Sequence, residues 1–300
     1  MNETDELLGF QYAGIITEAI EKELVLIRTI YHYANLEVAK CITGDFGFLG
    51  EGIVLWHTRA DCFQDKSEGK VIEDVYRSVL HRLIVEGTIG KERYESLLPI
   101  NPKGVYWFSK TDSHGIDHYS SHLGRAYIAC FSTEKDSREM WENHLNGAND
   151  GAALGFDLLS LNEDSHRYYG RGYLHYFQKV LYKKEEQEEF IYQIIKPLVS
   201  KTPNSKLLNY LISDFLTRCQ YVFKDEKYDY EKEVRSIIII PEEGVCPLEQ
   251  LEDGKRIKYR FGIGTRLNEI TFYCEPKKIK DISRKLLAPR VYYYFSSFVK

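Results

Sequence analysis

Tyr228-Asp-Tyr-Glu-Lys-Glu-Val-Arg-Ser-Ile-Ile-Ile-Ile240 is the stretch on which the reading of this chain turns. Two carboxylates, Glu231 and Glu233, and a guanidinium, Arg235, lie within five residues and lead into an apolar strand. Side chains alternate between the faces of a strand, so Glu231, Glu233, Arg235, Ile237 and Ile239 are expected on one face. Lys232, Val234, Ser236, Ile238 and Ile240 then take the other. A buried sheet would carry an acid–acid–base row to its edge. Such a row serves chemistry in some folds and is an ordinary ion pair in others.

Outward from this strand, the apolar periodicity predicts a mixture of helices and strands without regular βαβ alternation. Helices are expected at 5–27, after an Asn35 cap, at about 69–86, at 137–145, at 185–199, at 206–223 and at 277–287. Strands are expected at 29–33, 52–58, 105–108, 126–131, 152–156, 173–181, 257–261 and 269–273, with an aromatic edge strand at 290–299. The fold class is therefore α+β. The chain divides into an N-terminal helical extension, 1–28, and a single mixed-sheet domain, 29–300, with a helical insert at about 184–223. That insert is the expected surface for a protein partner.

The chain has 300 residues, enough for a large core, with 43% apolar and 28% charged residues. Its net charge of −5, without a basic block, disfavours non-specific nucleic-acid binding. Six cysteines without C-x-x-C spacing suggest neither a disulfide framework nor a zinc cluster. The start, Met-Asn-Glu-Thr-Asp-Glu, has no basic n-region, and no apolar run approaches the ~20 residues of a membrane span. A cytosolic protein away from the membrane is expected. His114, His118 and His122 recur every four residues, but Gly115 and Ser120-Ser121 weaken a helix there, so a polar loop is expected rather than a metal site.

Four ordered segments resemble a bacterial family known as domain of unknown function 2971. They are Ile30-Tyr-His-Tyr33; the 55–68 segment with Phe63-Gln-Asp-Lys-Ser-Glu68; Ala129-Cys-Phe-Ser132 with Met140-Trp141 and Gly155-Phe-Asp157; and Tyr230-Glu-Lys-Glu-Val-Arg235. Gln64 and Lys66 depart from that family's Phe-Asn-Asp-Pro-x-Glu pattern. The order of residue types also resembles the ADP-ribosyltransferase superfamily, which places a His on a first strand, an aromatic or hydroxyl residue on a middle strand and a Glu on a late strand.

That resemblance implies NAD as substrate, modification of a macromolecule or nucleotide, and a role as a toxin or anti-phage effector. Glu233 would stabilise an oxocarbenium-like transition state, with Glu231 orienting or deprotonating the acceptor. His32 would donate to a ribose hydroxyl, and Tyr33 or Trp56 would stack on nicotinamide. Ser132 lies on the middle strand, and Arg59 or Arg235 would hold the pyrophosphate. No metal is required. Two alternatives stand beside this: a metal-dependent nuclease or phosphohydrolase built on Asp65, Glu68, Glu231 and Glu233, and a non-enzymatic sensor or partner-binding module. Met140 and Trp141 are expected in the core, and Ser137 as a helix cap.

Overall fold

The computed structural model describes residues 18–19, 22–43, 53–63, 70–98, 105–111, 117–145, 148–166, 173–202, 205–242, 248–252, 254–261, 267–274 and 291–299. In chain order the elements are β1 (Thr29–Asn35), α1 (Leu36–Thr43), β2 (Val54–Arg59), α2 (Val71–Val85), α3 (Lys91–Leu97), β3 (Val105–Thr111) and β4 (Asp117–Ser132). There follow α4 (Arg138–His144), β5 (Gly151–Asp157), α5 (Leu158–His166), β6 (Leu174–Lys179), α6 (Lys184–Lys201) and α7 (Ser205–Cys219). The chain then forms β7 (Glu233–Pro241), β8 (Glu249–Gln250), β9 (Arg256–Arg260), β10 (Leu267–Tyr273) and β11 (Tyr292–Phe295). Short 3-10 turns lie at Ala60–Cys62 and Glu226–Glu231.

The protein is an α+β fold on one mixed sheet, in which β11 runs parallel to β10 and the other described pairings between these strands are antiparallel. The hub is β4. Along one edge it pairs with β7 from Gly124↔Pro241 to Ser132↔Glu233. A strand has only two edges, so β2 (Thr58↔Ile128) and β1 (Tyr31↔Ser132) share the other at different heights. The sheet therefore forks: one arm runs β1-β5-β10-β11 and the other β2-β9-β8.

Apolar side chains from both arms meet in one core. Ile30, Leu154, Phe156 and Ile270 come from the first arm, Leu55, Ile257 and Tyr259 from the second, and Val234 and Ile238 from β7. On the opposite face of β7, Ile237 and Ile239 pack with Ala126 and Ile128 against α2, α6 and α7. The alternation expected for the isoleucine run is present. The helices at 184–223 pack on that face of the sheet together with α2, their apolar sides turned inward.

Several elements differ from the sequence reading. The strand β4 extends back to Asp117, so His118 and His122 lie on a strand paired with β3 and not in a loop. Its polar residues are carried by main-chain pairing, which leaves no apolar alternation to read. Two short helices, α3 and α5, and the two-residue β8 had no counterpart, each being too brief or too polar for a period to register. The expected caps are present: Asn35 Oδ1 accepts from the Val38 N–H (2.9 Å) and Ser137 Oγ from the Met140 N–H (3.3 Å). Met140 and Trp141 are buried, and β11 forms an exposed aromatic edge. The helix expected at 277–287 and most of that at 5–27 lie outside the described residues.

Candidate functional site

The acidic row is not a continuation of the strand. Residues Glu226–Glu231 form a 3-10 turn, and Lys232 adopts a left-handed backbone (φ 44°) before β7 begins at Glu233. The alternation predicted for Glu231 therefore fails, because a positive φ breaks the pleat between the two glutamates. The end of β4 clasps this bend. The Thr133 N–H donates to the Lys232 carbonyl (3.0 Å), and Ser132 Oγ donates to the Glu231 carbonyl (2.7 Å) while accepting from the Glu134 N–H (3.1 Å). Ser132 is fully buried and positions the turn.

Both glutamates nevertheless converge on one cation. Lys224 Nζ bonds Glu231 Oε2 and lies 3.5 Å from Glu233 Oε2, which Arg235 Nη2 also reaches at 2.9 Å. Arg235 is 1% exposed and anchors its fork on the Tyr221 carbonyl. The Glu233 backbone is held as well: its N–H donates to the Tyr182 hydroxyl (2.9 Å), and its carbonyl accepts from the Val180 N–H (2.9 Å). Two positive and two negative side chains thus form one buried cluster of paired charges.

The shared environment separates the two carboxylates. Burial pushes Glu233 upward, but Arg235 and Lys224 outweigh it and hold the group at about 2, a fixed anion. Burial and the Glu233 charge push Glu231 above the ordinary carboxylate range, against the pull of Lys224. Burial would lower Lys224, but Glu233 and Glu231, with Arg235 opposing, keep its ammonium charged.

Glu231 and Glu233 open on a cavity of about 90 Å³, also lined by Tyr31, His32, Tyr33 and His144. It lies at the fork, where β1 leaves β4 after the Tyr31↔Ser132 pair. His32 Nδ1 lies 2.9 Å from the Cys130 carbonyl, an acceptor, so this nitrogen carries the proton. Burial keeps the ring neutral. Its Nε2 is then a lone-pair acceptor, which corrects the expectation that His32 donates to a hydroxyl. Tyr33 is tied by its hydroxyl to the Glu134 carbonyl (2.8 Å) and packs edge-on against Trp141.

The structure thus brings Glu231, Glu233, His32 and Tyr33 together. Arg235 lies beneath the cavity as the partner of Glu233, and Ser132 beside it as a positioning group. Trp56 and Arg59 belong to β2 on the other arm. Trp56 is 39% exposed with Arg256 over its ring, and Arg59 bonds Asp61 Oδ1 at 2.6 Å. Two residues of the site were missed from the sequence, Lys224 and His144. Neither stands in a motif, and each reaches the glutamates only through the packing of another element. Asp65 and Glu68, the other half of the metal alternative, lie outside the described residues. Among the described residues, no three His, Cys, Asp or Glu side chains converge as a metal site requires.

A second buried polar cluster lies one residue further along β7, on its other face. Ser236 Oγ is 2.9 Å from His57 Nε2 and 2.7 Å from His175 Nε2. One hydroxyl has one proton, so it donates to at most one of the two imidazoles and at least one ring donates to it from Nε2. Burial lowers His57 to about 3. None of these three residues lines the cavity.

Residues 140–236 match the model of a family described as protein of unknown function, DUF2971. The DUF2971 match runs from Met140 into β7 and includes His144, Lys224, Glu231, Glu233 and Arg235. The β1 wall of the cavity lies before it. No curated protein and no solved structure matches the chain. The DUF2971 description carries no activity, so the chemistry has to be argued from the cluster. A carboxylate held ionised well into the acid range beside one whose proton affinity is raised is a division suited to charge stabilisation by the first and proton transfer by the second.

Proposed function

We propose that this protein acts at the N-glycosidic bond of a nucleotide, with NAD as the expected substrate and a nucleophile on a macromolecule or nucleotide as acceptor. The observation that carries this reading is the opening of Glu231 and Glu233 on one cavity, with Glu233 clamped as an anion by Arg235 and Lys224. As the C–N bond breaks, its electron pair leaves with nicotinamide, which departs neutral. Positive charge develops on the ribose, where Glu233 stabilises it without reorganising. The acceptor attacks the anomeric carbon and passes its proton to Glu231. His32 Nε2 accepts from a sugar hydroxyl.

A cavity of about 90 Å³ is smaller than the ~300 Å³ at which ligand pockets usually begin. It accommodates the reacting end of the substrate, and the remainder of a dinucleotide lies beyond it.

The test is nicotinamide release from NAD by wild type, Glu231→Gln and Glu233→Gln, with a mixed lysate supplying acceptors. Wild type is expected to release nicotinamide, and Glu233→Gln to lose about 10²–10³-fold in rate. Because Glu233 belongs to a buried ion pair, its replacement also lowers stability; each variant is therefore compared at a temperature where circular dichroism shows it folded. Absence of release by wild type, with and without lysate, overturns the proposal.

A further inference from the structure

His144 is a titratable cavity residue to which the reading above gives no task. It ends α4 and faces the same space as the two glutamates. Its Nε2 is buried and has no hydrogen-bond partner among the described residues. Buried polar atoms are nearly always satisfied, so an orphaned ring nitrogen on a cavity wall calls for a partner inside the cavity.

Three features define that partner. Burial keeps the His144 ring neutral, with Lys224 adding to the effect and Glu233 opposing it. The Nε2 of a neutral imidazole offers one donor or one lone pair, which suits an uncharged hydroxyl or amide rather than a phosphate. His144 and Glu233 also line one small cavity, so whatever occupies the space before Glu233 lies beside His144.

The helix that carries it is firmly held. Ser137 caps its start, Trp141 Nε1 donates to Asp136 Oδ1 (2.7 Å), and Asn143 Nδ2 donates to the Tyr230 hydroxyl (3.3 Å) on the 3-10 turn that carries Glu231. The ring and the carboxylates therefore keep a fixed relation, as a recognition group needs.

We propose that His144 is a positioning residue that hydrogen-bonds, through Nε2, a hydroxyl of the sugar ring placed before Glu233. This rests on the glycosidic reading. From two elements of the cavity wall, β1 and α4, two neutral imidazoles then hold one sugar: His32 as an acceptor, and His144 through Nε2.

The experiment uses full-length protein with isotopically labelled histidine, the His144 signal being assigned by its loss in His144→Gln. Ribose 5-phosphate and nicotinamide are titrated separately into wild type, His144→Gln and His144→Leu. Ribose 5-phosphate is expected to move the His144 signal. Its Kd should rise about five- to tenfold in His144→Leu and stay within about twofold in His144→Gln, whose amide replaces the hydrogen bond. Nicotinamide should leave the signal in place.

An unmoved signal with ribose 5-phosphate, a shift caused by nicotinamide, or equal behaviour of the Leu and Gln variants overturns the proposal. Nicotinamide release is assayed in parallel. Release with an unmoved His144 removes this inference alone. A His144-dependent ribose site without release removes the NAD reading and keeps the sugar site.

Discussion

Arg235 and Ser236 are neighbours on β7, yet they belong to two buried polar clusters of opposite character. On the helix-facing side, Arg235 and Lys224 neutralise Glu233 and Glu231, and the cluster opens on a cavity. On the other side, Ser236 joins His57 and His175 by neutral hydrogen bonds inside the core between the two arms. Both contain titratable groups displaced by burial. What separates them is access. The first lines the cavity and can present a charge to a ligand, whereas none of the three residues of the second lines that cavity. A displaced proton affinity alone does not locate a site; displacement beside a cavity, with counter-charges fixing the direction, does.

The largest expected effect that would break this comparison is on the charged side. Arg235→Leu leaves Glu233 with Lys224 as its remaining counter-charge and should lower unfolding free energy by about 3–5 kcal/mol in urea denaturation. A loss below about 1 kcal/mol would mean that Glu233 does not depend on Arg235, and the fixed-anion argument would go with it. Next is the neutral side: Ser236→Ala strands two imidazole nitrogens and should cost about 1–3 kcal/mol without changing nicotinamide release. A loss of release in a folded Ser236→Ala protein would show that the two faces communicate.

Acid separates the clusters by pH window. His57 has its folded pKa lowered from 6.5 to about 3, so the unfolded chain binds the proton first, and stability present above pH 6.5 is lost as pH falls towards 3. Glu233, lowered from 4.5 to about 2, contributes stability above pH 4.5 that disappears as pH falls towards 2. His57→Gln should flatten the stability profile between pH 6.5 and about 3 by up to about 1.4 kcal/mol per pH unit and leave the limb below pH 3, where Glu233 titrates, unchanged. Some slope persists there, because His32 and His144 are also lowered by burial. A profile identical to wild type would remove His57 from the acid-sensitive set.

The smallest effect concerns the bend joining the two glutamates. Lys232→Gly relieves a left-handed backbone but loosens the unfolded chain, so stability should change by less than about 1 kcal/mol. A larger loss would indicate that the Lys232 side chain, which bonds Asp229, holds the turn.

The isoleucine run was legible because a strand's period is two, and the assignment of Ile237 and Ile239 to one core and Ile238 and Ile240 to another follows from it. The helix caps at Asn35 and Ser137 were legible for the same reason, being local hydrogen-bond chemistry. Glu231 was misplaced because nothing in Tyr230-Glu-Lys-Glu marks a positive φ: lysine gives no such signal where glycine or asparagine would. His32 could be suspected from its strand, but its tautomer depends on the Cys130 carbonyl of another strand.

By itself, then, the sequence determined the α+β class, the two faces of β7 and the concentration of charge at its start, all of which follow from interactions within a few residues. Tertiary structure alone decided that Lys224 and Arg235 would neutralise the glutamates, that β1 would part from β4 to leave a cavity, and that His144 would face it. Those outcomes depend on contacts between segments far apart in the chain, where burial and Coulomb energy are set by neighbours that no local pattern names.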